Sequence, residues 1–151
     1  MKAHLISLPF LIAGALMISA AAEPVRAADA PGATLTVTFS GVKIATGAVM
    51  MSLAGSPEAY DGKAAEAGQA MIPVVGTSVS YTFTGLAPGR YAIKAFHDVN
   101  GDGKMGANPF GIPTEPYAFS NNAVGGMGPA KWDAASFEVK AGTNTQTITI
   151  D

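Results

Sequence analysis

Asp98, Asn100 and Asp102 place oxygen-bearing side chains at every second position, with Gly103 and Lys104 directly behind them. Calcium is a hard cation that takes six to eight oxygen ligands, and D-x-N-x-D-G is how the first half of an EF-hand-type loop supplies them. Gly103 would make the sharp turn and Lys104 would offer its carbonyl. The second half departs from the pattern: Gly106 stands at the ninth position, and Pro109 stands where a bidentate Glu should close the loop. Asn108 or Glu115 would have to substitute by another geometry. The same run also reads as a plain turn, because Asn, Asp and Gly tolerate positive φ. The turn reading leads; calcium is the one candidate cofactor, with Asp98, Asn100, Asp102 and Lys104 as its candidate ligands.

His97, beside this run, is the only histidine beyond His4. A two-histidine metal site within the domain is excluded. A hydrolase centred on His97 would need Asp98 to orient the imidazole and Ser120 to act as nucleophile. Neighbours on a strand point to opposite faces, so Asp98 is badly placed for that task. Ser120 also lacks the G-x-S-x-G elbow. His97 shares its parity with Tyr91, Ile93 and Ala95, which places it at the rim of a core, and the expectation is a non-catalytic domain. The aromatic residues Phe110, Tyr117, Phe119 and Trp132 would stack on sugars if exposed; buried, they form the core of their own loop. His97, Tyr117, Phe119, Ser120, Asn121 and Asn122 are the candidate ligand-binding set, and a carbohydrate is one candidate ligand.

Strands must position these groups. Thr34 to Ser40 alternates apolar and hydroxyl residues, which puts Leu35, Val37 and Phe39 on one buried face. The pattern recurs with Val49, Met51 and Leu53, then with Val79, Tyr81 and Phe83, and in the runs Tyr91–Phe96, Ala135–Lys140 and Thr145–Ile150. Ala70 to Val75 carries Pro73 and suits a sheet edge. Ser56 and Pro57 could open a short helix as N-cap and first residue. About seven short strands separated by turns predict an all-β, antiparallel β-sandwich. The stretch from Asp98 to Lys131 is too long to be an idle loop, so a further strand is expected near Tyr117 to Asn121.

Ahead of the domain, Lys2 precedes an apolar run from Leu5 to Ile18, followed by small residues. That order of charge, apolar core and small-residue site is a signal peptide, with cleavage after Ala22 or Ala27. The run is shorter than the ~20 residues that span a bilayer, so no membrane span remains after cleavage. The domains read as a signal peptide over 1–27, a linker over 28–33 and one sandwich over 34–151, with a periplasmic or secreted location. The chain has 151 residues and no cysteine, so apolar burial alone must hold the fold. A formal net charge of -2 with scattered lysines excludes the basic footprint of a nucleic-acid binder.

The run Leu86-Ala87-Pro88-Gly89-Arg90-Tyr91 through His97-Asp98-Val99-Asn100-Gly101-Asp102-Gly103-Lys104, then Gly111-Ile112-Pro113-Thr114-Glu115 and Phe119-Ser120-Asn121-Asn122, resembles the bacterial family called domain of unknown function 2141. The pieces match in order, and the flanking strands extend the similarity over most of the mature chain. Two departures are Gly106, where the family often has an acidic residue, and Pro116-Tyr117-Ala118, where it commonly has glycine. The resemblance implies an exported sandwich of the transthyretin or immunoglobulin-like kind and brings no activity with it. The functional expectation is an exported, non-catalytic binding or structural module that meets an envelope protein or glycan. The alternative is a calcium-ordered or carbohydrate-binding module using residues 97–122.

Overall fold

The computed structural model describes residues 32–151, so the signal peptide and both cleavage sites lie outside the described residues. Eight strands form two sheets: β1 (Ala33–Ser40), β2 (Ala48–Ala54), β3 (Gly68–Pro73), β4 (Ser78–Leu86), β5 (Gly89–Asp98), β6 (Tyr117–Phe119), β7 (Phe137–Val139) and β8 (Thr143–Thr149). One sheet runs β4-β1-β8. The other runs β3-β2-β5-β6, with β7 also on β5. The fold is an all-β sandwich, and β1 begins at Ala33, one residue earlier than expected. It departs from a purely antiparallel layout in one place: β1 and β8 pair in parallel, Thr34 beside Thr143 through Ser40 beside Thr149.

Period-two alternation sets the core. Leu35, Val37 and Phe39 on β1 are fully buried, and so are Val49 and Leu53 on β2 and Ile93 on β5. Each such side chain stabilises the fold by about 1.5–3 kcal/mol relative to exposure. Tyr81 has the inward parity but sits at the sheet edge, 39% exposed, with its ring edge-on to Phe83 at 4.9 Å. β3, which carries Pro73, is an edge strand, since among the described residues it pairs with β2 alone.

A second, smaller core covers the outer face of the larger sheet. There α1 (Pro57–Tyr60) and α2 (Trp132–Ala135) bring Ala59, Tyr60 and Ala135 against Ala54, Ala92 and Phe119. The α1 turn starts where the sequence indicates: the Ser56 hydroxyl accepts from the Ala59 amide, with Pro57 next in line. Among the described residues no helix is long and apolar enough to cross a membrane.

Candidate functional site

Two short strands share one edge of β5 and leave a gap between them. β6 lies beside Lys94–Phe96 and β7 beside Gly89–Tyr91. In the gap the Ile93 amide donates to Ser120 Oγ at 2.8 Å, and that hydroxyl donates to the Ala135 carbonyl at 2.6 Å. Ser120 is fully buried and stands in for a missing residue of the ladder. A nucleophilic serine must hand its proton to a base, yet this proton is committed to a backbone carbonyl. His97 is four positions further along β5, roughly 13 Å away at strand rise. It faces the inner side of the sheet, almost fully buried, with Nε2 at 2.7 Å from the Thr46 carbonyl oxygen. Its backbone N–H donates to the Pro116 carbonyl. His97 and Ser120 therefore form no dyad.

Asn121 and Asn122 follow Ser120 with φ of 58° and 50°, the left-handed region that asparagine tolerates better than most residues. The Asn121 amide nitrogen donates to the carbonyls of Ala134 and Ser136 at 3.2 and 3.0 Å, and its oxygen accepts from Gln146. Asn122 Oδ1 accepts the Thr149 backbone N–H at 2.8 Å. Together they clip the free edge of β8, in the smaller sheet, to the segment before β7, in the larger one. Three of the six candidate ligand-binding residues thus spend polar atoms on the fold: Ser120 bridges the gap beside β5, and Asn121 and Asn122 join the two sheets.

At the end of β5, Asp98 is almost fully buried and accepts three backbone N–H groups. Gly101 and Asp102 donate to Oδ1 at 2.8 and 3.2 Å, and Gly103 donates to Oδ2 at 2.8 Å. Asn100 Oδ1 also accepts from the Asp102 amide, its nitrogen donates to Asp102 Oδ2, and Asp102 Oδ1 accepts from the Lys104 amide. Asp98, Asn100 and Asp102 do converge, but on N–H groups of their own turn. Glu115 bridges the base of the same loop by accepting from Val99 and Gly106, both at 2.9 Å. Its role as a clamp shows only once both ends of the loop are in place. Among the described residues no three His, Cys, Asp or Glu side chains gather as a metal site would require. The loop's own N–H groups engage these side-chain oxygens, Asp98 Oδ1 taking two of them and Oδ2 one.

What stays open is apolar. Tyr117 is 41% exposed, its ring edge-on to Phe119 at 5.8 Å. The two rings, with Asn122, Val124, Thr149 and Asp151, line a cleft of about 450 Å³ beside the end of β8. Further round the excursion Phe110 and Val124 are each 88% exposed, and Ile112 and Met127 are exposed as well.

Over residues 37–147 the sequence matches the family described as uncharacterized protein conserved in bacteria (DUF2141). The chain belongs to that family. No curated protein and no solved structure matches it. The matched span starts inside β1 and ends inside β8, so it takes in strands of both sheets, the serine bridge and the Asn121–Gln146 half of the asparagine clip.

One group in this DUF2141 domain escaped sequence reasoning. Tyr60 donates its hydroxyl to the Ala130 carbonyl at 2.9 Å, and Lys94 Nζ sits 4.8 Å from the centre of its ring while donating to its carbonyl. Burial, helped by the neighbouring Asp61 carboxylate, pushes the Tyr60 phenol up to about 12. The isolated Glu58-Ala59-Tyr60 turn gave no periodic signal that it would cover the outer face of β5.

Proposed function

We propose that this domain is a non-catalytic docking module, exported to the periplasm or beyond, which offers the excursion after β5 to an envelope protein. One observation carries the reading. Six of the ten exposed large apolar side chains among the described residues, Met105, Phe110, Ile112, Tyr117, Val124 and Met127, fall between β5 and α2, the other four being Ile44, Met71, Val75 and Tyr81. Exposed apolar side chains concentrated in one long connection offer a partner a surface to cover. The commitment of Ser120 and His97 to backbone partners supports a role without catalysis.

A glycan is the second reading, favoured by the Tyr117 ring in the wall of the cleft. The amide groups a sugar would need beside it are largely spoken for, since Asn122 Oδ1 accepts from Thr149. The test is affinity capture from envelope extract with the protein as the cell produces it, set beside a Phe110→Ser/Ile112→Ser variant. One partner retained at fixed stoichiometry, lost with the variant and rebinding as a pure protein, is the expected result. Equal capture by both forms would overturn docking through the excursion; loss only with Tyr117→Ala, and only of glycan, would replace it with the second reading.

A further inference from the structure

The outer face of the smaller sheet bears a regular array of hydroxyls. On β1 every outward residue from Thr34 to Ser40 is Thr or Ser, and on β8 every outward residue from Thr143 to Thr149 is Thr. The register aligns them into ranks across three strands: Thr82–Thr36–Thr145, then Ser80–Thr38–Thr147. β1, β4 and β8 contain no charged residue at all. Solvent faces of ordinary domains mix charges of both signs, so a face made only of hydroxyls is more specific than solubility requires.

Three features bear on what such a face would hold. Ranks repeat every second residue, about 6.7 Å along a strand, and neighbouring strands lie about 4.8 Å apart. The parallel pairing of β1 and β8 gives both strands the same side-chain direction, so their threonines form a true two-dimensional lattice. The hydroxyls are also pre-set: Thr36 Oγ1 lies 2.9 Å from Thr82 Oγ1, and Thr38 Oγ1 lies 2.9 Å from Ser80 Oγ. Those bonds fix side-chain rotamers before any partner arrives, which removes part of the ordering cost of binding.

We propose that this face binds the surface of ice. Hexagonal ice repeats its oxygens on closely similar scales in two directions. A lattice of fixed hydroxyls and methyls can join it by donating and accepting hydrogen bonds without introducing a charge. Each bond adds little net free energy in competition with liquid water, so adhesion depends on many of them matching at once. Sheet twist rotates neighbouring strands by about 20–25°. The match is therefore centred on Thr36, Thr38, Thr145 and Thr147 and weakens toward the rim.

The test is inhibition of ice recrystallisation, with partition into a growing ice front as a second readout, using the protein as the cell produces it. Wild type slows recrystallisation and enters the ice. Thr145→Lys/Thr147→Lys loses both effects, while Met71→Lys, on the other sheet, keeps them. Circular dichroism melts show that each variant is folded. Should the lysines unfold the sheet, Thr145→Val/Thr147→Val keeps the side-chain shape and still weakens ice binding. Folded wild type that leaves ice growth unaltered would overturn the proposal. So would equal activity of the face variant and wild type, or retention on insoluble cellulose or chitin that the face variant alone abolishes, with no effect on ice.

Discussion

The hydroxyl of Ser120 occupies the place of a backbone carbonyl for the Ile93 amide, 2.8 Å away. Removing it orphans that N–H and also the Ala135 carbonyl, both in the interior, where an unpaired polar group costs about 1–3 kcal/mol. Ser120→Ala is expected to lower stability by roughly 2–4 kcal/mol in urea titration, with an unchanged m-value. A loss under about 0.5 kcal/mol, the scale of an ordinary surface change, would mean that the bridge is not structural.

Two glycines with similar backbones should respond very differently to alanine. Gly47 and Gly62 have φ of +68° and +73°, but a Cβ on Gly47 would sit 1.9 Å from the Asp98 carbonyl oxygen, whereas one on Gly62 meets nothing within 4 Å. Gly62→Ala should cost only the left-handed backbone penalty, about 1–2 kcal/mol. Gly47→Ala should cost about 3 kcal/mol or more, because the β2–β5 ladder must part to admit it. Thermal melts of the pair decide the matter, and equal losses would contradict the close approach.

Tyr60 sets an alkaline limit. Its phenol is held up to about 12, against 10.0 unperturbed, so the folded state keeps a proton that the unfolded chain releases first. The contribution is complete below pH 10 and is lost as pH rises toward 12. Ultraviolet titration should show one tyrosine ionising late. In Tyr60→Phe the late step should vanish, and the fall in stability across that window should flatten.

The turn after β5 should be indifferent to calcium. Three N–H groups already hold Asp98, so melting temperatures with millimolar calcium and with chelator should coincide. Asp98→Ala should destabilise the domain in both conditions by the same amount, about 2–3 kcal/mol for a buried acceptor of several N–H groups. A calcium-dependent rise in the melting temperature of wild type would reveal a rearranged loop that binds the ion.

The strands were legible because one face of each is buried, and burial imposes a period that survives without any knowledge of partners. Leu35, Val37 and Phe39 announce their side of β1 whichever strand lies next to it. Partnership itself was not legible. Nothing in Thr143-Asn144-Thr145 says that β8 runs parallel to β1, since the alternation reads the same in either direction. The Ser120-Asn121-Asn122 run looked like ligand chemistry because hydroxyl and amide groups have the same valences whether they meet a sugar or a peptide group. Only the gap between β6 and β7 decides which. His97 was placed correctly by parity, whereas the Thr46 carbonyl it meets is 51 residues away and comes from a loop without pattern.

The adjacency of β1 and β8 makes the two ends of the sandwich mutually dependent. A chain emerging in order from a ribosome cannot close its smaller sheet until β8 is free, because β1 waits for a neighbour 109 residues downstream, Thr34 for Thr143. Such distant pairing is slow to form. Until that last strand arrives, β1 lacks one of its two neighbours and the smaller sheet stays incomplete.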